Sequence, residues 1–524
     1  MFHRMRSNFL KGAVAAAAIL VSGAAFAGDV TFVLGTSEVG TPGYDPVKAV
    51  NLNAATQLIY DRLVEMDVHR KYHPHLAESW EEAADGMSWT FHLKKGVKFH
   101  NGEPFTAASV AGWIPLYAGT ESAYMTASIE KVEVIDEHTV KFVMKSPDPN
   151  LLYNLSSTFM GVVEPKAYAA LGDDFAAKGA IGTGPFKLES FTVGQETVLV
   201  RNDDYTWGSD ISSNPGPAKF DRAIFREIAE DSTAFLEMKT GGVDVMLNVP
   251  IDYRAELAKE SDLTLLTRPG QNVAYFVMNV TKEPFTDIRV REAAAKAINQ
   301  KEILDSIYGG VGAVADTFLI SSLAEANVDP KYKIAYDPAR AEALLDEAGW
   351  VKGADGIRTK DGKPLQIQLW TQSDSSFRRL TEVVQAQLKA VGIDAPITTF
   401  DSSMIRDEYK KGGHQAAVRS YDWDNADIID WFFGGDRLGY PNVSMFNDPK
   451  AEELRTKAMT GSKTGEERTA NFIAYHEYVL SQYPFSPIYQ PVDAIAYNNT
   501  RIELPKYEET PFFSSLAMDI ATKD

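Results

Sequence analysis

LAESWEEAADGMSWTFHLKKGVKFHNGEPFTAASV, residues 76–110, decides more of the fold than any other stretch of this chain. Trp89, Phe91 and Leu93 alternate with polar neighbours, the period of a strand with one buried face. Lys95-Gly96 then reads as a turn, with Val97 and Phe99 as the returning arm of a hairpin. Asp85-Gly86 and Asn101-Gly102 bound the unit, and both dipeptides tolerate the positive φ of tight turns. Thr106 precedes an apolar helical run and reads as its N-cap, placed to satisfy first-turn amides.

Strand and helix signals continue to alternate on either side, which predicts an α/β architecture with mixed sheets. GDVTFVLGTS (28–37) alternates like a first strand. NLNAATQLIYDRLVEMD (51–67) has Ala55, Leu58, Ile59 and Leu63 at helical spacing and predicts a helix. VEVIDEHTVKFVMK (132–145) predicts two strands around Asp136-Glu137, and ETVLVRNDDYTW (196–207) another strand. DSTAFLEMKTGGVDVM (231–246) predicts a helix from an Asp231 cap to Gly241-Gly242, then a short buried strand. DIRVREAAAKAINQKEILDSIYGG (287–310) predicts a helix pair ending at Gly309-Gly310. DPARAEALLDEAGW (337–350) has Asp337 as N-cap, Pro338 in the first turn and Gly349 at the end. PLQIQLWTQ (364–372) predicts a strand and FRRLTEVVQAQLKAVGI (377–393) a helix with one apolar face.

The 524 residues are 44% hydrophobic, 11% aromatic and 24% charged, the balance of a globular protein long enough for more than one domain. Cysteine is absent, which excludes disulfides, thiol catalysis and cysteine metal sites. A formal charge of −20 argues against nucleic acid or an anionic membrane as partner, since phosphate contacts need clustered Lys and Arg. Arg4, Arg6 and Lys11 precede the apolar run GAVAAAAILVSGAAFA, which closes on Ala25-Phe26-Ala27. This predicts a secretory leader over residues 1–27, cleaved before Gly28, and a mature protein in the periplasm.

Four blocks together resemble the extracytoplasmic solute-binding proteins of family 5, the peptide, opine and nickel carriers of ABC importers. They are Leu76–Val110, Gly182–Trp207 (GTGPFKLESFTVGQETVLVRNDDYTW), Pro284–Ile303 (PFTDIRVREAAAKAINQKEI) and the segment YDPARAEALLDEAGW. The resemblance implies a two-lobed clamshell with mixed sheets and an extra domain inserted in the first lobe. The first lobe would comprise 28–70, 185–283 and 490–524, the insertion 71–184 and the second lobe 284–489. The chain would cross between lobes near YFVMNV (275–280) and SPIYQPV (486–492). A monomer closing on a small-molecule solute and handing it to an inner-membrane ABC permease needs no catalysis and no cofactor.

SYDWDNADIIDWFF (420–433) is the most conspicuous candidate site. It fails as an EF-hand, because Ala426 and Asp427 stand where an oxygen ligand and a turning glycine belong. Its aspartates could form a hydrolase pair, a spacing no single loop can test. As a pocket wall, its rings would cover apolar parts of a solute while a carboxylate pairs with a cation. The other reading makes Asp424, Asp427 and Asp430 solvated or helix-capping carboxylates and Trp423, Trp431 and Phe432 core. The resemblance aligns Tyr421, Asp422, Trp423 and Asp424 with the family's W-x-x-D loop, where Asp424 would take a solute amine. Ile428 replaces the loop's usual proline.

Gly43, Tyr44 and Asp45, at the exit from the first strand, would face the cleft by the same resemblance or form an ordinary Gly-Pro turn. Met160 and Trp370 are also family-like cleft positions, though such residues are more often core, and Gln372 is a further cleft candidate. The family's dipeptide binders carry an arginine after the tryptophan, where this chain has Gln372, Ser373 and Asp374. Arg419 could supply that charge, or pair with an acidic neighbour. His69, His73 and His75 cluster without an accompanying carboxylate pattern, and no metal is assigned to them. His414 could cap a nickel chelate, which keeps a metal-chelate carrier of the same family as an alternative. A secreted carboxylate-dependent hydrolase is the other.

Overall fold

The computed structural model describes residues 28–34, 43–49, 52–373, 375–401, 404–504 and 513–523. The expected leader, residues 1–27, lies outside them. Two large mixed sheets organise the chain into two lobes. The first runs in the order Leu263–Pro269, Val492–Asn498, Val245–Met246, Asp29–Val33, Arg222–Arg226, Glu196–Arg201 and Phe186–Thr192. Asp29–Val33 is parallel to both its neighbours; the other pairings are antiparallel. The second sheet runs Ala313–Val314, Phe485–Gln490, Asn272–Met278, Ala416–Asp422, Leu369–Gln372 and Ile397–Phe400.

The chain passes between sheets twice. Leu263–Pro269 ends in the first sheet and Asn272–Met278 begins in the second, so the outward passage is Gly270-Gln271, ahead of the expected 275–280. The return falls at Pro491, between Phe485–Gln490 and Val492–Asn498, and Gly270 donates its amide to the Pro491 carbonyl at 2.9 Å. YFVMNV is thus mostly second-lobe strand. Its continuous apolar character reflects burial on both faces of a central strand.

Between the first strand and Phe186–Thr192 lies a four-stranded antiparallel sheet in the order Ala77–Glu82, Ser88–Leu93, Thr139–Met144 and Ile129–Asp136. Trp89, Phe91 and Leu93 are buried as their alternation requires. The predicted hairpin arm is corrected. Ser88–Leu93 pairs with Ala77–Glu82 before it and Thr139–Met144 after it, and not with Val97 and Phe99. Those two are buried in a short loop closed by a Lys98–Pro104 bridge. The helix Ala107–Trp113 begins at Thr106 as predicted, with the Ser109 hydroxyl accepting from the Thr106 amide at 3.2 Å.

The helix expected over 51–67 shrinks to Thr56–Ile59. The Gly182–Gly184 segment competes for its backbone: the Gly184 amide donates to the Ile59 carbonyl at 3.0 Å. A Cβ at Gly182 would lie 2.1 Å from that carbonyl oxygen, and one at Gly184 2.4 Å from the Leu58 carbonyl. Only glycine permits so close an approach. Val64–Met66 then pairs with Tyr72–Pro74 and straddles the expected domain boundary at 70. The insertion and the first sheet share one apolar core, in which Val30, Phe32, Phe91, Trp113 and Phe142 are buried together. The second lobe has its own.

The capped helices lie where the sequence puts them. Asp231–Thr240 ends at Gly241 with φ 74°, with Glu230 and not the expected Asp231 in the N-cap position; Ile288–Lys296 ends at Ala297 and Gln300–Tyr308 at Gly309 with φ 59°. Pro338–Glu347 carries its Asp337 cap, which accepts from the Arg340 amide at 2.9 Å.

Candidate functional site

Among the described residues, a cavity of about 220 Å³ lies where the lobes meet. Ile251 and Arg254, on the helix Ile251–Leu257, line it from the first lobe. Asn272 and Tyr489 line it from the two crossing strands, and Leu380 and Ser420 from the second lobe. A larger groove of about 680 Å³ lies between helices Gln300–Tyr308, Pro338–Glu347 and Ser375–Ala390. It is lined by the second lobe alone, so filling it cannot pull the lobes together.

The strand Ala416–Asp422 divides the candidates of the 420s by its pleat, because successive side chains point to opposite faces. Ser420 faces the cavity, and Asp422, opposite Asn272, shares its face. Asp422 is exposed to solvent. Desolvation there, with Asp493 and Asp424 nearby and only partly offset by Arg268, pushes its carboxyl up to about 6. Asp493, 3.6 Å from Arg268, is raised by the same desolvation.

Arg419 and Tyr421 project to the other face. The Arg419 guanidinium is 5% exposed and lies 4.5 Å from the Tyr421 ring, 4.8 Å from Tyr409 and 5.4 Å from Tyr440. It donates to the Tyr421 hydroxyl, while its Nε and Nη1 have no hydrogen-bond partner among the described residues. Among the described residues no carboxylate forms a salt bridge with it, and the tyrosines hold the charge by cation–π attraction instead.

The loop after the strand ties the lobes together. Trp423 donates its indole N–H to Asp427 at 2.6 Å and packs 5.9 Å from Trp431. Burial raises the Asp427 carboxyl to about 6 against the opposing pull of Arg468 and Trp423. Asp424 accepts from Tyr153 at 2.6 Å, from Arg70 at 3.5 Å and from Gln271 at 3.5 Å. Asn425 accompanies it with a 2.9 Å bond to Asn150, and Trp431 meets Tyr124 edge-on at 5.8 Å. Asp430 is a buried anchor held by Arg437 at 2.7 Å and Arg455 at 2.5 Å.

The remaining candidates are placed within the lobes. Tyr44 is fully buried, with its hydroxyl bonded to Thr197 and Asn53 and its carbonyl to Tyr60. Asp45 caps the turn after it, accepting from the Val47 amide at 2.9 Å and the Tyr168 hydroxyl at 3.0 Å. A Cβ at Gly43 would lie 2.8 Å from that of Ala176, which accounts for the glycine. Met160 is core. Trp370 packs against Phe400, Tyr409 and His414, while Gln372 is half-buried at the strand end. Asp374 lies outside the described residues. Arg379 reaches Asp252 of the first lobe with bonds of 3.1 and 2.9 Å.

The histidines have local tasks. His414 is enclosed, its Nε2 2.6 Å from the Val443 carbonyl, and burial lowers its pKa to about 4. His73 lies between Asp67 and Asp210 at 2.9 Å each, and His75 is 3.1 Å from Asp61. The carboxylates not apparent beside the cluster in the sequence arrive partly by long-range folding. Among the described residues no group of three such side chains could hold a metal ion.

Cavity-lining residues that the sequence did not single out are Ile251, Arg254, Asn272, Tyr489 and Ser420. Asn272 and Tyr489 lie beside the passages between the sheets and Ser420 near the end of its strand, where clefts form in α/β folds, whereas Ile251 and Arg254, on a helix, carried no such signal.

The comparisons agree with this geometry. The model for bacterial extracellular solute-binding proteins, family 5, middle region, matches residues 71–437. Di/tripeptide-binding protein 1 of Pseudomonas aeruginosa is 29% identical over 93% of this chain and 94% of its own length. Heme-binding protein A of Haemophilus influenzae is 27% identical over 92% and 90%. The crystal structure of NikA from Brucella suis in complex with Fe(III)-EDTA superposes with a TM-score of 0.82 at 24% identity, covering 94% of this chain and all of that one. With its two lobes, twin crossings and matched middle region, the chain belongs to the bacterial extracellular solute-binding proteins of family 5, the solute-binding components of ABC importers.

Proposed function

We propose that this chain acts in the periplasm as a monomer, capturing a small peptide or peptide-like solute in the interlobe cavity and presenting the closed form to an inner-membrane ABC permease. The cavity carries the reading: both lobes and both crossing strands line it, so one occupant contacts everything that must move together. A solute touching both lobes binds the closed form better and shifts the population toward it. Taking a mostly open protein to a mostly closed one needs a preference of about 5 kcal/mol. The volume, about 220 Å³, lies below the roughly 300–1,000 Å³ of typical ligand pockets and suits only a small solute. The di/tripeptide-binding relative supports the peptide class. Among the described residues no helix is long and apolar enough to cross a membrane.

The protein carries out binding and release without converting its cargo. Mass spectrometry of what co-purifies with the protein, followed by calorimetric titration of that compound and a di- and tripeptide panel, tests this. Recovery of a peptide that binds and returns unaltered is expected. Turnover of the compound, or no binding across the panel, rejects it.

A further inference from the structure

The lining of the interlobe cavity is chemically lopsided. Among the described residues that line it, Arg254 alone is charged, and none is a carboxylate. The Arg254 Nε donates to the Val249 carbonyl at 2.8 Å, which fixes the plane of the guanidinium. The nearby Asp493 carboxylate lies 3.6 Å from a different cation, Arg268. Asn272 donates to the Ser420 hydroxyl oxygen at 3.4 Å, so that hydroxyl can pass its own hydrogen to a guest.

Much of the remaining surface is ring and hydrocarbon. Tyr308 and Tyr489 stack at 3.8 Å and 5° as one wall, and Phe377 and Leu380 add to the apolar lining. The wall is built before any guest arrives. Tyr489 donates its hydroxyl to the Val311 carbonyl at 3.2 Å, and a Cβ at Gly312, where φ is 109°, would lie 2.5 Å from its ring. Burial pushes the Tyr489 phenol up to about 12 against the pull of Arg254, so cation and wall lie within electrostatic reach of each other. A benzene ring is held in a cavity of roughly 150 Å³. The 220 Å³ found here therefore has room for one ring and a short arm.

We propose that the cavity selects a solute carrying one aromatic ring beside one carboxylate, with Arg254 meeting the carboxylate and the Tyr308–Tyr489 wall covering the ring. A carboxylate matches the planar fork of a guanidinium, and a neutral amide in its place leaves the cation without a counter-charge. A ring against a fixed aromatic wall gains contact without ordering the wall first. The same chemistry is offered by a free aryl-alkanoic acid and by the aromatic carboxyl-terminal residue of a short peptide. This inference rests on the interlobe cavity being the solute site.

The test is calorimetric titration with two pairs of probes: phenylacetate and phenylacetamide, and alanyl-phenylalanine and its amide. Wild type is expected to bind at least one acid tenfold or more tightly than its amide. Arg254→Met should bring that ratio to within about threefold of one. Should Arg254→Met fail to fold, Arg254→Lys, which keeps the charge and loses the fork, should cut the ratio severalfold. Alanyl-alanine reads the ring, and wherever the dipeptide binds it should bind at least tenfold more weakly than alanyl-phenylalanine. An acid-to-amide ratio near one in wild type, a ratio that the Arg254 variants leave unmoved, equal binding of the two dipeptides, or no binding of either acid overturns the proposal. The two sources separate in the same data. Binding of phenylacetate alone sustains the proposal and ends the peptide reading, whereas peptides bound without regard to Arg254 sustain the peptide reading and end the proposal.

Discussion

The two faces of the strand Ala416–Asp422 make an instructive pair. Ser420 and Asp422 share the cavity face, with Asn272 across from Asp422. Arg419 and Tyr421, their immediate chain neighbours, lie on the other face among Tyr409, Tyr440 and Phe432. One face keeps polar groups near solvent, where a guest can replace water. The other retains a cation by surrounding it with rings. Adjacent residues therefore serve opposite ends, and a conspicuous motif read as one unit mixes the cavity wall with its scaffold.

The sharpest way to break this comparison is to fill the cavity. Ser420→Phe should lower solute affinity roughly a hundredfold by calorimetry while leaving the melting temperature near wild type. Unchanged affinity would place the solute elsewhere. Asp427→Asn tests the scaffold side through pH. The native pKa of about 6 exceeds the ordinary 3.8, so the folded state holds this proton more tightly than the unfolded chain. The group's contribution is therefore most favourable below about pH 4 and is lost as pH rises to 6. Asp427→Asn should stabilise the protein by on the order of 2 kcal/mol at pH 7.5 and by almost nothing at pH 4, measured by urea unfolding.

Arg419→Met sharpens the contrast from the other direction. No carboxylate among the described residues is orphaned by its loss, so stability should change by less than about 1.5 kcal/mol. Affinity should stay within roughly threefold, a small change in binding free energy. A large affinity loss would mean that the ringed face also touches the solute. The smallest effect belongs to Arg379→Ala, which removes a half-exposed pair with Asp252 across the lobes. It should cost about 0.5 kcal/mol at low salt and vanish in 0.5 M salt, followed by thermal unfolding.

Much of the scaffold was legible in the sequence because its signals are local. Thr106, Asp337 and the terminal glycines at 241 and 309 mark helix ends through groups within a few residues. Most of the failed expectations involve distant partners. The 51–67 helix is cut short by backbone from Gly182–Gly184, and Asp61 within it accepts from Thr183, Tyr205 and Trp207 at 3.0–3.1 Å. Burial pushes that carboxyl up, but His75 and the hydrogen bonds from Thr183 and Trp207 outweigh it and hold it below its usual range. Periodicity cannot foresee such a network, since its donors lie more than a hundred residues along the chain. The same limit applies to the cavity: Ile251, Asn272 and Ser420 are unremarkable letters until two sheets bring them together.

The insertion has no apolar interior separate from that of the first sheet: Phe32 and Phe225 belong to the same buried cluster as Phe91 and Phe142. Excising it would strip the first lobe down to raw hydrophobic surface. The second lobe is joined by two threads and is filled from within. Severed at those two threads, it would keep its interior covered, which the insertion would not.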